Sequence, residues 1–366
     1  MKYFVIILVL ASNLISAQKF KVLEELLDNE LRSTEPGGIV LIKKGGDILF
    51  QKAIGLADLQ TQKAITDSTI FNTGSISKTF VAYGILILES EGKLSIEDSI
   101  VNYFPDFTNK HLSAKIKIKH LLSHTSGIPD IRKVQDNPSF YLTAKDRENF
   151  EPIKAVKRLN FEPGAEFEYS NPAFNGLALI IEQVAKEPWQ DFIRKKIFEP
   201  SGMTQSTITN GEQPEDGVAH GYETSNGAFK ENDYGEFPTF AAAGNGGVWC
   251  SILDLVKYEE AIRNSIFLEA EAIHKSREIY LPENWNSDSS ARLGFSWFIS
   301  PREDNKYQVK TISHTGSQGG FRSFLYSVPE KEVVFVALFN RPITNMSQIV
   351  EEGFRVLQNN NWLDME

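Results

Sequence analysis

The sequence predicts an α/β fold in which a mainly antiparallel sheet, flanked by helices, carries an inserted and mostly helical domain. Three observations predict it. Strand-like segments occur near both ends of the 366-residue chain, helical signals dominate from Ser75 to about Thr239, and Lys44-Gly45-Gly46 separates two apolar runs as a hairpin turn would. A sheet drawn from both ends around a helical middle implies a discontinuous α/β domain, residues 18–74 plus 245–366, with residues 75–244 inserted.

Each element follows from its pattern. Phe20, Leu23, Leu26, Leu27 and Leu31 repeat at helical spacing, which predicts an amphipathic helix over about Lys19 to Arg32. Gly38 to Lys43 and Asp47 to Ala53 read as the hairpin strands. The helical middle is interrupted by Pro105, Pro129, Pro152, Pro163 and Pro200, none of which continues a helix readily. Ser251 to Arg263 reads as a helix with Ser251 as N-cap and Asp254 in the first turn, where the helix dipole favours an acid. Leu293 to Ile299, Tyr307 to Ser313, Phe321 to Ser327 and Glu332 to Phe339 are strand candidates, and Ile349 to Leu357 reads as a closing helix.

Composition narrows the function classes. Met1 to Ala17 has a lysine at position two, an apolar run from Phe4 to Leu10 and small residues before Gln18, the pattern of an export signal cleaved near Ala17. The run is far shorter than the roughly 20 apolar residues of a membrane span. The expected address is therefore periplasmic or secreted. A single cysteine, Cys250, excludes a disulfide framework, and a net charge of −10 disfavours nucleic acid or an anionic membrane surface as partner. No histidine or carboxylate spacing points to a metal, and no cofactor is expected.

Chemistry concentrates in three short motifs: Ser75-Ile76-Ser77-Lys78, Tyr169-Ser170-Asn171 and His314-Thr315-Gly316. Ser-x-x-Lys also occurs at Ser16, inside the apparent signal, and at Ser90, in the turn Ser90-Glu91-Gly92-Lys93. Only Ser75 follows a Gly-containing loop and leads into an apolar helical stretch, Phe80 to Leu88. A serine hydroxyl needs a base within hydrogen-bond reach, and positions three apart on a helix share a face, so Lys78 is set over Ser75. Burial would lower the amine's pKa and let it accept the proton. Tyr169 is a candidate second base or leaving-group acid, and Asn171 an amide for holding Lys78 or a substrate carbonyl. Gly316 permits close approach of a strand, whose backbone N–H groups are available as donors.

This set resembles the serine β-lactamase and penicillin-recognising hydrolase family, in its branch with Tyr-x-Asn as second motif. That branch includes class C β-lactamases, DD-peptidases, D-aminopeptidases and esterases. Phe71 to Phe80, Gly92 to Asp98, Leu121 to Gly127, Phe161 to Gly164 and Gly244 to Gly247 are similar to family segments, so the resemblance covers most of the mature chain. It implies a β-lactamase/transpeptidase-like fold, with Ser75 as acylated nucleophile, Lys78 as proton acceptor and Tyr169 assisting acylation and deacylation. It further implies that Asn171 orients the substrate, that His314 and Thr315 flank it, and that the oxyanion hole uses the backbone N–H groups of Ser75 and Ser317. The acylation base is disputed among related enzymes, so the division between Lys78 and Tyr169 stays open.

His314 departs from the lysine of typical β-lactamases and exchanges a permanent cation for an imidazole with reference pKa of about 6.5. A substrate carboxylate is then held less strongly, unless Arg322 or Arg341 replaces the charge. The expected function is an exported serine hydrolase acting through a Ser75 acyl-enzyme on a small ester or amide, such as a D-amino-acid peptide. The alternatives are a class C-like β-lactamase and a noncatalytic penicillin-binding-like scaffold; loss of Ser or Lys would have favoured the scaffold, and neither is lost. Several residues carry blander expectations. His124 reads as structural, Glu166 and Glu168 as a solvated edge, and Trp249, Phe295, Trp297 and Phe298 as core or cleft wall. Asn210 to Tyr234 reads as a cleft-lining loop that tunes specificity. The sequence leaves the oligomeric state open.

Overall fold

The structure, a computed structural model, describes residues 19–132, 145–210, 214, 216–231, 243–286 and 292–364. The apparent export signal lies outside the described residues. Helix α1, Lys21–Glu30, precedes strands β1, Gly38–Lys44, and β2, Asp47–Ile54. The remaining strands of the main sheet come from the other end of the chain: β3, Phe298–Ser300, β4, Thr311–Gln318, β5, Phe321–Val328, and β6, Val333–Phe339. Their order is β3-β4-β5-β6-β1-β2, antiparallel throughout, with Gly38 paired to Phe339 where the two chain ends meet.

Apolar alternation explains the layers. Val40, Ile42, Phe324, Phe335 and Phe339 pack with Leu23 and Leu27 of α1 and with Ile349, Phe354 and Leu357 of the closing helix Met346–Asn359. The opposite face presents Ile39, Leu41, Ile312, Leu325, Val336 and Leu338 to a second core shared with the helices of the middle segment. Strand β6 is buried along its whole length because both faces are covered. At the centre of the second core lies helix α2, Ser77–Ser90, buried at every position from Ser77 to Leu88. A helix apolar all round is stable only inside such packing. Helix α3, Asn171–Ala185, packs beside it through Phe174, Leu177 and Ile181.

Several sequence expectations need adjustment. The run Leu293 to Ile299 is strand only from Phe298, since Ser296 takes a φ of 67° and the chain turns there with Gly294 N–H donating to the Trp297 carbonyl. Tyr307 to Ser313 starts late, because Gln308 also has positive φ, and the strand runs on through His314-Thr315-Gly316 to Gln318. Within the expected loop Asn210 to Tyr234, Tyr222–Ser225 and Ala228–Glu231 form a hairpin about Asn226-Gly227. Both turn residues have positive φ, 52° and 78°, which is why Asn-Gly is the favoured pair there. The helix Ile252–Arg263 forms as expected, the Ser251 hydroxyl accepting from Asp254 N–H at 3.2 Å.

Candidate active site

Ser75 lies in a 3₁₀ turn, Gly74–Ile76, that leads directly into α2. Gly74 adopts a φ of 52°, and a Cβ built there would stand 2.8 Å from Ser317 N. Gly316 is equally constrained, since a Cβ on it would fall 2.1 Å from the Thr73 carbonyl oxygen. The two glycines therefore let the nucleophile turn and strand β4 meet backbone to backbone. The contact is pinned by Ser323, whose hydroxyl donates to the Thr73 carbonyl at 2.8 Å. On the other side Asn72 bridges, donating to the Gly246 carbonyl and accepting from Gly74 N–H, both at 2.9 Å.

Lys78 is fully buried, and its Nζ stands 3.0 Å from Ser75 Oγ and 2.7 Å from the Asn245 carbonyl oxygen to which it donates. Burial drives its pKa well below the ordinary lysine value, and the positive charge of Arg132 adds to that. A neutral amine donates to Asn245 and still has a lone pair for the serine proton. Behind it a hydrogen-bond chain continues inward. Asn175 Nδ2 donates to Asn245 Oδ1 at 2.9 Å and to Asp146 Oδ1 at 2.7 Å, while Gly244 N–H and Trp189 Nε1–H donate to the same carboxylate at 2.8 and 2.9 Å. Burial pushes Asp146 up to about 7, against those three donors.

Tyr169 and Asn171 reach the site at the start of α3, where the Ser170 hydroxyl caps the helix by accepting from Ala173 N–H. The Lys78 Nζ lies 5.1 Å from the Tyr169 ring centroid. Asn171 Oδ1 is buried and meets no hydrogen-bond partner among the described residues, so its amide holds neither Lys78 nor Ser75 in this state. His124 stands beside them, although 45 residues separate it from Tyr169 in sequence. Its ring stacks on Tyr169 with centroids 4.4 Å apart, and its Nδ1 accepts from Ser170 N–H at 2.9 Å. The residue set aside as structural thus fixes the backbone on which Tyr169 and Asn171 are mounted. The carboxylates Glu166 and Glu168 are exposed, as a solvated edge requires.

On β4 the side chains alternate. His314 and Gly316 face the nucleophile turn, whereas Thr315 is exposed on the other face, bordering a cavity with Tyr307, Phe324, Tyr326 and Phe354. Thr315 can meet a substrate only across the edge of the strand. Among the described residues no strand pairs with that edge of β4 beyond Ser313. His314 is buried, packs edge-on against Phe298 at 5.5 Å, and its Nδ1 stands 2.7 Å from the Thr315 carbonyl oxygen. Burial, and then the charge of Lys78, lower its pKa to about 3, so the imidazole is neutral at physiological pH. Of the arginines considered as substitute cations, Arg341 pairs with Glu35 at 3.2 Å and stacks on Phe229. Arg322 sits across from Ser317 in the β4–β5 register and donates to the Phe321 carbonyl.

Sequence reasoning missed Asn245, Asn175 and Asp146. Only Gly244-Asn245-Gly246-Gly247 carried a signal, as a glycine-rich segment that must approach another backbone. Among the described residues no cluster of His, Cys, Asp and Glu could hold a metal ion, and no helix is long and apolar enough to cross a membrane.

Comparison with known proteins gives a consistent result. The beta-lactamase family model matches residues 22–360. A penicillin-binding protein of Bacillus subtilis strain 168 is 26% identical over 335 residues, 88% of this chain and 72% of the relative. The octameric penicillin-binding protein homologue from Pyrococcus abyssi superposes with a TM-score of 0.78 at 26% identity, over 94% of this chain and 77% of that one. The D-amino acid amidase of Ochrobactrum anthropi SV3, complexed with D-phenylalanine, has a TM-score of 0.76 at 19% identity, over 94% of this chain and 99% of that one, and shares the fold.

Proposed function

The chain belongs to the beta-lactamase family, and from that premise we propose an exported serine hydrolase that forms an acyl-enzyme on Ser75 with small ester or amide substrates of the D-amino-acid peptide kind. The observation that carries the reading is the fully buried Lys78 amine 3.0 Å from Ser75 Oγ. The neutral amine takes the hydroxyl proton as Oγ attacks the substrate carbonyl carbon. The Ser75 and Ser317 N–H groups receive the charge that develops on the carbonyl oxygen. Tyr169, held by His124, or Lys78 itself returns the proton to the departing amine or alcohol, and water attacks the ester on Ser75 in a second, reverse-sense passage. The relatives that bear penicillin-binding and D-amino acid amidase names support a D-configured amide or peptide as substrate.

A neutral His314 supplies no cation for the carboxylate of a β-lactam, which sets the class C-like reading behind this one. Retention of Ser75 and Lys78 in contact argues against a noncatalytic scaffold. Export rests on the Met1 to Ala17 pattern, and N-terminal sequencing of protein recovered outside the cytoplasm of an expressing host should begin at Gln18. The chemical test is stopped-flow hydrolysis of an activated D-alanine ester. A Ser75-dependent burst is expected in the wild type, and equal turnover by Ser75→Ala would remove the reading.

A further inference from the structure

The hydrogen bonds of the two buried imidazoles assign their tautomers. A carbonyl oxygen only accepts, so His314 Nδ1, 2.7 Å from the Thr315 carbonyl, carries the proton. In the neutral ring Nε2 is then a bare acceptor. It is buried and has no partner among the described residues. His124 is the reverse case: its Nδ1 accepts from Ser170 N–H, so its Nε2 carries the proton, again buried and without a partner among the described residues. Asn171 Oδ1, at the start of α3, is a second buried acceptor without a partner among the described residues. His124 shares the Tyr169 and Phe174 rings with Lys78, and His314 lies on the same strand two residues from Gly316, which abuts the Thr73 carbonyl, so both imidazoles stand beside the nucleophile turn.

A buried acceptor without a donor is costly, and a ligand that supplies the donor recovers that cost. A carboxylate brought to the same point sets a negative oxygen against the imidazole lone pair and leaves its own desolvation uncompensated. We propose that His314 Nε2 reads a hydrogen-bond donor on the substrate, a carboxamide or amine N–H, at the position where a lysine-bearing site would read a carboxylate. The inference rests on Ser75 being the acylated nucleophile and names the substrate class that this site takes. It also gives the exchange of Lys for His a chemical purpose: the position changes sign of preference instead of merely weakening. The titratable groups acting on His314 are Lys78, on the nucleophile side, and His124; Arg322, across from Ser317, lies on the other face of β4 with Thr315.

The test uses two aryl esters of N-acetyl-D-alanine that differ only at the 3-position of the phenol, carboxylate in one and carboxamide in the other. With the full chain, kcat/KM for the carboxamide should exceed that for the carboxylate by about tenfold or more, the size of one well-placed hydrogen bond. In His314→Lys the ratio should invert. His314→Gln, which keeps an acceptor and no charge, should retain the wild-type order and covers the case in which a buried lysine prevents folding. Ser75-dependent hydrolysis with the carboxylate preferred would overturn the inference alone. Absence of Ser75-dependent hydrolysis for both esters would overturn the acyl-enzyme reading and this inference with it.

Discussion

The nucleophile has two flanks, and they are finished to different degrees. On the helical flank hydrogen bonds run from Ser75 Oγ through Lys78 to the backbone carbonyl of Asn245, and from the Asn245 side-chain Oδ1 through Asn175 to the buried Asp146. On the strand flank the buried Nε2 of His314 has no partner among the described residues, and neither has Oδ1 of Asn171 at the start of α3. The first arrangement fixes a base in position before any substrate arrives, which is what nucleophile activation needs. The second leaves acceptors for the substrate to complete, and so governs choice rather than rate. Chemistry is preorganised on one side and recognition is deferred on the other.

Substitutions on the two flanks should therefore separate rate from selectivity. The largest effect belongs to the nucleophile and its base: Ser75→Ala should remove turnover, and Lys78→Met should lower kcat by roughly 10²–10⁴-fold, the usual worth of a positioned base. Lys78→Met should also remain folded, since an unbranched apolar chain replaces a buried amine; thermal unfolding beside single-turnover kinetics checks both. Next is Asp146→Ala, which strands the buried donors of Asn175, Trp189 and Gly244. A loss of about 3 kcal/mol or more is expected in urea denaturation, and the Asn245 carbonyl should lose its position with it. If Asp146→Ala leaves both stability and kcat intact, the chain behind Lys78 is not what orders that flank.

Gly316→Ala tests where the flanks touch. The added methyl would lie 2.1 Å from the Thr73 carbonyl, so strand and turn must separate, and a misplaced oxyanion donor should lower kcat/KM by about 10²-fold. The smallest effects are those of pH. Since His314 titrates near 3, kcat/KM should show no histidine inflection from its protonation between about pH 5 and 8, the range around the reference value. Stability should behave differently. His120, lowered to about 4 by burial, His124 and His314 are all neutral when folded, so the unfolded chain takes up their protons first. Their contribution is complete above about pH 6.5 and is lost as the pH falls toward the folded values. Asp146 opposes them, because its raised pKa favours the folded state in acid and less so as pH rises to about 7. Three histidines outweigh one carboxylate, so stability should fall by roughly 3 kcal/mol between pH 6.5 and 5. A rise over that interval in chemical denaturation would contradict the burial of the imidazoles as neutral groups.

The sequence made the preorganised flank partly legible because a short spacing encodes it. Ser75 and Lys78 are three residues apart, and the local helix brings them together without any tertiary information. The strands β5 and β6 were legible for a similar reason, as each is an apolar run between turn residues. Where the local signal and the fold diverge, reading failed. The strand candidate Tyr307 to Ser313 stops short, yet pairing of Thr315, Gly316 and Ser317 to Phe324, Ser323 and Arg322 carries the strand on to Gln318. Asp146, Asn175 and Asn245 are ordinary polar residues in sequence, and only the packing of α3 against the segment after Ala243 turns them into one network. His124 read as structural, and its support falls on the site itself: from a left-handed turn with φ of 55° its ring stacks on Tyr169, a proximity that distance along the chain did not show.

The most direct measurement is intact-protein mass with peptide mapping after brief exposure to a penicillin and, separately, to an activated D-alanine ester, in the wild type and Ser75→Ala. The account predicts a covalent acyl adduct for the wild type with the ester, mapped to the peptide that contains Ser75, and none in Ser75→Ala. An adduct at any other residue, or one of equal yield in Ser75→Ala, would contradict Ser75 as the nucleophile and with it the division of labour between the two flanks.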